Sequence, residues 1–132
     1  MFNTYYDYYS GYLFISYFSC SGIYPFKIVP NDSIQIIDME NFSGLKTLNV
    51  DVPVYSFVYY SPNKLLIIGS NNSVVFYNLS TENIIKQIPI YGIPVSVLLD
   101  YATGNVYASV ENWLLSHFFP LIFNSQDGLV MT

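Results

Sequence analysis

Arginine is absent from this 132-residue chain, lysine occurs four times, and histidine and cysteine occur once each. With no basic patch and a net charge of −5, the chain lacks the electrostatic footprint that phosphate backbones and anionic lipid surfaces demand, so nucleic acid is not expected as a partner. A single Cys20 forms no internal disulfide and points to no particular redox compartment; it is expected as a small buried apolar thiol. Long apolar runs are also missing. The longest, Tyr12 to Cys20, is interrupted by Ser16 and Ser19 and is far short of the about 18 residues that a membrane span needs. It does not read as a signal peptide either, because Asn3, Thr4, Tyr5, Tyr6 and Asp7 ahead of it supply no Lys or Arg. One His, one Cys and nine scattered carboxylates leave few ways to assemble an acid, a base and a nucleophile. His117 adjoins Ser116, but there is no Gly-x-Ser-x-Gly elbow, no Cys/His zinc pattern, no glycine-rich phosphate loop and no Asp-x-Asp-x-Asp calcium loop. The sequence therefore predicts no catalytic residues, no metal, no cofactor and a non-enzymatic role.

What is present is apolar and aromatic. Hydrophobic residues make up 52% and aromatic residues 19%, enough for one domain with a core, while charged residues fall to 10% against about a quarter in an ordinary soluble domain. Fifteen Ser and twelve Asn must supply much of the wettable surface. Nearly every apolar segment is short, rich in Ile, Val, Tyr and Phe, and closed by Gly, Pro, Asn, Asp or Ser, which is the punctuation of strands. Strands are predicted at about Tyr12 to Phe18, Ser33 to Asp38, Leu45 to Val50, Val54 to Tyr59, Lys64 to Ile68, Val74 to Asn78, Ile84 to Ile90, Val95 to Leu99 and Val106 to Val110. The fold class is all-β. Ser61-Pro62-Asn63 fits a type I turn with Pro fixing φ at its second position, and Asn71-Asn72 tolerates the left-handed backbone of a tight hairpin. Ala102 to Asn105 forms a similar corner. Only Asn112 to Phe119 has a helical pattern, with Asn112 as N-cap, Val110, Trp113, Leu114 and Phe118 on one side, and Pro120 as terminator.

The segments repeat. Ser33 to Asp38 is echoed by Ser73 to Asn78 forty residues on, each followed by a polar turn and a Lys-bearing strand, Leu45 to Val50 or Ile84 to Ile90. Val52 to Val58 matches Ile93 to Leu99, and Ser61 to Ile68 matches Ala102 to Ser109, both at an offset of forty-one. A third copy lies at the N-terminus, where Asp7 to Ser16 parallels Asp100 to Ser109, and that unit carries extra residues from about Tyr17 to Val29 before its next strand. A period near forty with four short strands per unit is what a β-propeller blade demands. Pro53 with Pro94, Ser61-Pro62-Asn63 with Thr103-Gly104, and Ile36-Ile37-Asp38 with Phe76-Tyr77-Asn78 resemble the turn and strand pattern of the YVTN family of propeller repeats. The resemblance covers about Asp7 to Val110. It implies four-stranded antiparallel blades, about two and a half of them, in an incomplete ring; a β-sandwich is the alternative.

Residues 1–110 are accordingly read as the repeat domain. Residues 111–132, with Phe118, Phe119, Leu121, Ile122 and Phe123, are read as an apolar tail or capping segment that invites association. A tyrosine cluster at Tyr5, Tyr6, Tyr8, Tyr9 and Tyr12 offers contact area at small rotamer cost; together with Phe118, Phe119 and Phe123 it is the predicted interaction surface. Tyr55, Tyr59 and Tyr60 read as ordinary strand packing. Asp7, Asp38, Asp51 and Asp100 recur at turns, where they are expected to bond their own backbone. Asn-x-Ser sequons begin at Asn31, Asn41, Asn71 and Asn78, all at predicted turns or strand ends, and make these Asn candidate glycosylation sites. They point to an extracellular, cell-surface or virion setting. The leading expectation is a β-repeat interaction or assembly module, self-associating or docking into a surface layer, filament or virion through its unpaired edges. Two others stand beside it. One, implied by the resemblance, is a fragment or subunit of a lactonase-like propeller hydrolase built around a central metal, and the other is a β-sandwich binding carbohydrate through its tyrosines.

Overall fold

A computed structural model of the chain describes residues 2–22, 27–112, 117–124 and 130–131. Among the described residues, strands account for every regular element but one turn of 3-10 helix at Ser61–Asn63. They run β1 Phe2–Asp7, β2 Tyr12–Ser21, β3 Lys27–Asp38, β4 Ser43–Asn49, β5 Ser56–Tyr60, β6 Leu65–Ser70, β7 Ser73–Asn78, β8 Asn83–Pro89, β9 Ile93–Asp100, β10 Asn105–Asn112, β11 His117–Asn124 and β12 Val130–Met131. Each consecutive four form an antiparallel meander, giving sheets β1-β2-β3-β4, β5-β6-β7-β8 and β9-β10-β11-β12. These are four-stranded sheets in sequence order, as the repeat predicts, and not the two stacked sheets of a sandwich. Two compact units divide the chain: Met1–Val54 holds the first sheet, and Tyr55–Thr132 holds the second and third. No helix among the described residues is long and apolar enough to cross a membrane.

All nine predicted strands are present, and three more join them. The helix expected from Asn112 to Phe119 is not formed: Asn112 closes β10, and Phe118 and Phe119 lie in β11 opposite Glu111 and Val110. Apolar residues at helical spacing over so short a run also fit a strand, and the neighbouring β10 backbone offers a ladder that the sequence pattern does not reveal. Pro120 stands inside β11, opposite Ser109, instead of ending a helix. Within residues 111–132, β11 and β12 join the third sheet, and the two compact units meet in sequence at Val54 and Tyr55. The extra residues after Tyr17 lengthen the β2–β3 hairpin, where Phe18, Ser19, Cys20 and Ser21 pair with Pro30, Val29, Ile28 and Lys27.

The forty-residue period holds in the backbone. β4 and β8 are forty residues apart, as are their left-handed leading residues Phe42 and Glu82. The Val50 N–H bonds the Asp32 carbonyl as the Ile90 N–H bonds that of Asn72, at 2.9 and 3.0 Å. The offset of forty-one requires correction after the start of β9. Lys64 and Gly104 both take left-handed backbone one residue before Leu65 and Asn105, forty apart. The discrepancy comes from a bulge: Ser96 pairs with Ser109 and Pro94 with Val110, so Val95 is one extra residue in β9. Pro94 therefore follows the forty-one spacing while everything beyond the bulge follows forty.

β5, β6 and β7 are buried on both faces. Leu66, Ile67, Ile68, Val74 and Val75 are inaccessible to water, which is why these strands read as continuous apolar runs instead of alternating ones. One face of the middle sheet meets the third sheet at β9. There the Ser56 hydroxyl donates to the Pro94 carbonyl at 2.9 Å, and Gly69, paired with Ser56, leaves the space that this carbonyl occupies. A Cβ on Gly69 would lie 2.5 Å from the Ser56 Oγ and 2.8 Å from the Pro94 oxygen. Farther along the same joint, Tyr60 and Tyr101 meet edge-on at 5.2 Å, and the Tyr101 hydroxyl hydrogen-bonds that of Ser61. In the first sheet the position of Gly69 is taken by Ser16, whose buried hydroxyl has no hydrogen-bond partner.

Gly69→Ala should destabilise the chain by about 1–3 kcal/mol, because the backbone carbonyl of Pro94 stands in the way beside the Ser56 hydroxyl, and a lowered midpoint in thermal or urea unfolding checks it. Ser16→Ala should be neutral or stabilising by up to about 1 kcal/mol, since it removes a buried unpaired hydroxyl; a loss of stability in the same assay contradicts that.

Candidate functional site

The turns that end the strands use their acidic and amide residues on themselves. The Asp7 carboxylate accepts from the Ser10 N–H at 3.0 Å while the Gly11 N–H reaches the Asp7 carbonyl at 2.9 Å, with Gly11 at φ +76°. Asp100 and Gly104 repeat the arrangement, with the Ala102 N–H on the Asp100 carboxylate at 3.2 Å and the Gly104 N–H on its carbonyl at 2.8 Å. Asp38 takes the Glu40 N–H at 3.0 Å, and Asn78 takes those of Ser80 and Thr81 at 2.8 and 3.2 Å. These bonds satisfy turn N–H groups that no strand partner reaches. Asp51 is exposed with left-handed backbone, its N–H on the Asn49 side chain at 3.0 Å. Among the described residues no three of His, Cys, Asp and Glu gather closely enough to hold a metal ion. Of the sequon residues, Asn31, Asn41 and Asn71 are exposed, and Asn78 is half-buried by its turn. Ser116 and Trp113 lie outside the described residues, as do the side chains of Cys20, His117, Phe118, Phe119 and Phe123.

The tyrosine cluster is divided by strand alternation. Tyr6 and Tyr5 point to opposite faces of β1, Tyr8 and Tyr9 stand exposed in the β1–β2 turn, and Tyr12 lies with Tyr5. One face of the first sheet carries Phe14, Ile34, Ile36 and Leu48, with Asp7 and Ser16, all buried. The other carries Phe2, Tyr6 and Tyr17, 61%, 40% and 41% exposed, around half-buried Leu13, Ile15 and Ile37. Tyr6 meets Tyr8 edge-on at 4.9 Å, Phe2 leans on Tyr17 at 6.2 Å, and the Tyr17 hydroxyl donates to Gln35 Oε1 at 3.3 Å. Among the described residues, register places no charged side chain on this face. The sequence reading singled out the tyrosines but not their apolar companions from β2 and β3, because only strand pairing brings Leu13, Ile15 and Ile37 beside Tyr6.

The middle sheet holds the same positions out of water. Asp7 pairs with Tyr12, Tyr60 with Leu65 and Asp100 with Asn105, so the first hairpins of all three sheets superpose in register. Tyr6, Leu13 and Ile15 correspond to Tyr59, Leu66 and Ile68, none of them more than 3% exposed. In the third sheet, Val97, Val106, Ala108 and Val110 fill one face and are buried, whereas the opposite face leaves Leu98 65% exposed beside Tyr107, Ser96 and Ser109. Its counterpart of Leu98 in the middle sheet, Val58, is buried on the face that meets β9.

No family model and no curated protein matches the sequence. Solved structures do match in fold. The chain is similar to Sqt1 of Saccharomyces cerevisiae (TM-score 0.66, 15% identity, 92% of this chain and 30% of that one) and to hydrazine synthase of Kuenenia stuttgartiensis (0.66, 13%, 92% and 31%). It is also similar to the β-propeller domain of Cps50 (Swd1) from Myceliophteria thermophila (0.61, 10%, 97% and 36%). At these identities the likeness is one of fold: the chain is a partial β-propeller, spanning about a third of the length of these structures. A propeller has typically four to eight blades, and the described residues build three sheets.

Asp7→Ala should cost about 1–2 kcal/mol by stripping a turn N–H of its acceptor, whereas Asp7→Asn, which keeps an acceptor oxygen, should cost much less; equal losses for the two variants in urea unfolding would contradict the capping role.

Proposed function

We propose that this chain is a non-enzymatic interaction and assembly module, a partial propeller whose uncovered sheet faces are completed by protein. The observation that carries the reading is the outer face of the first sheet, where Tyr6, Leu13 and Ile15 stay in contact with water although their middle-sheet counterparts are buried. Burying what these side chains still expose contributes a fraction of the roughly 1.5–3 kcal/mol that a fully exposed Leu or Ile gains on burial, so several of them together supply a driving force for docking. The YVTN-like spacing of turns supports the same architecture, in which blades stack face to face. Carboxylates engaged in their own turns favour this reading over a lactonase-like hydrolase, which needs acidic and Asn side chains converging on a metal. An extracellular or particle-surface setting, such as a surface layer, filament or virion, fits the exposed sequon residues Asn31, Asn41 and Asn71. Size-exclusion chromatography with light scattering should give a mass well above 15.1 kDa for the folded chain. A well-folded monomer at that mass, at tens of micromolar, would rule against assembly.

A further inference from the structure

The outermost strand of a sheet presents unpaired N–H and C=O groups to any chain that approaches, and β4 and β8 hold that position in the first and middle sheets. The chain has only four lysines, and two of them, Lys46 and Lys86, lie in these strands forty residues apart. Their register is the same. Lys46 stands opposite Ile36 and Lys86 opposite Phe76. Directly paired residues share a face, so Lys46 falls in a row with Ile34, Ile36 and Leu48, and Lys86 with Val74, Phe76 and Ile88. Those six apolar residues are buried, none more than 7% exposed, whereas both lysines are exposed. Each lysine is thus a charge on an apolar sheet face, placed at the margin where its long stem can carry the ammonium past the last strand into water. A bulge accompanies each. β4 has one residue more than β3 between Ile36 and Asp38, and β8 has one more than β7 between Phe76 and Tyr77, where Ile85 is extra.

We infer that Lys46 and Lys86 close the outer edges of these two sheets to pairing with a strand of another chain. Without its lysine β8 would be an open template, because Ile84, Ile85, Ile88 and Ile90 crowd a short segment of high strand propensity in which Lys86 is the single charge. A strand added outside β8 would extend the apolar face by another row and bring the ammonium beneath it. Stripping that ammonium of water opposes the pairing whether or not a carboxylate goes with it. The ladder bonds gained replace bonds to water, so their net contribution is small beside this cost. The bulge is a second obstacle, since its extra residue bends and twists the strand away from a regular partner. Aligned at forty residues, Ser-Gly-Leu-Lys-Thr-Leu-Asn of β4 and Asn-Ile-Ile-Lys-Gln-Ile-Pro of β8 share one identical residue, the lysine. The inference stands apart from the assembly reading and narrows it: partners dock elsewhere than at β4 and β8, although unpaired edges were the expected place.

Lys86→Ile tests this in the full chain, beside Lys86→Glu and Gln87→Ile. The readouts are loss of soluble protein on standing, thioflavin T fluorescence and mass by light scattering, with circular dichroism and the urea midpoint to check the fold. Lys86→Ile should lose soluble protein at least about tenfold faster than the wild type, with a rise in thioflavin T signal. Lys86→Glu should match the wild type, because a charge of either sign must keep its water. Gln87→Ile should also stay near the wild type, since it puts the same apolar side chain on the other face of β8 and leaves Lys86 in place. Lys46→Ile should repeat the result at the first sheet. If Lys86→Ile lowers the urea midpoint, Lys86→Thr, uncharged and suited to a strand, takes its place. Solubility of the uncharged variant equal to that of the wild type overturns the inference, and so does aggregation of Lys86→Glu or Gln87→Ile at the same rate. A wild-type assembly that Lys86→Glu dissolves overturns it as well, because β8 would then be an interface. A folded wild-type monomer that Lys86→Ile turns into aggregates overturns the assembly reading and upholds this one.

Discussion

A sheet whose strands are apolar on both sides cannot leave either side in water, and β5, β6 and β7 are such strands. Leu66, Ile67 and Ile68 run consecutively, so successive side chains enter opposite faces and all three are fully buried. Everything else in the architecture follows from the need to cover both faces. A helix presents one apolar stripe and can stop at one neighbour, but a two-sided sheet needs cover on each side. Where the third sheet covers the middle one, the backbones approach closely, and the Gly69 and Ser56 pair beneath the Pro94 carbonyl provides the room.

The same constraint accounts for the composition. Few charges are needed when sheet faces are mainly contacts and only edges and turns meet water. Asn, Ser and Asp are concentrated at those turns because short polar side chains can bond the backbone two or three residues away. Asp7, Asp38, Asn78 and Asp100 hold the ends of hairpins by this means, and the left-handed residues Gly11, Phe42, Glu82 and Gly104 close the same turns. Substitutions among the repeats are tolerated where the backbone demand is met. Only glycine adopts φ near +75° without a steric penalty, yet Phe42 and Glu82 adopt about +50° and +55° in equivalent places.

Strand existence was readable from alternation and punctuation because both are local. Ser33 to Asp38 and Ser73 to Asn78 share a pattern at forty residues, and the structure keeps that register down to the bulge that follows Ile36 and Phe76. The reading faltered where a single residue or a neighbour intervened. Val95 is one extra residue in β9 and turned a forty-residue period into an apparent forty-one. The segment after Asn112 read as a helix because periodicity over eight residues fits either structure, and the competing ladder with β10 is a tertiary fact. The first strand, Phe2–Asp7, was seen only as a cluster of tyrosines. Its pairing with β2 splits that cluster between a buried face and an open one.

The sequence by itself determined the all-β class, the repeat, the turn chemistry and the lack of a recognisable catalytic motif, since each depends on residues within a few positions of one another or on a simple count. Which faces are covered was decided only in three dimensions. Tyr6 and Tyr59 look alike as tyrosines near the ends of short strands, yet the first is 40% exposed and the second 3%. The difference lies in what packs against each sheet, and burial is a property of neighbours brought together by folding, not of the residue or its place in the chain.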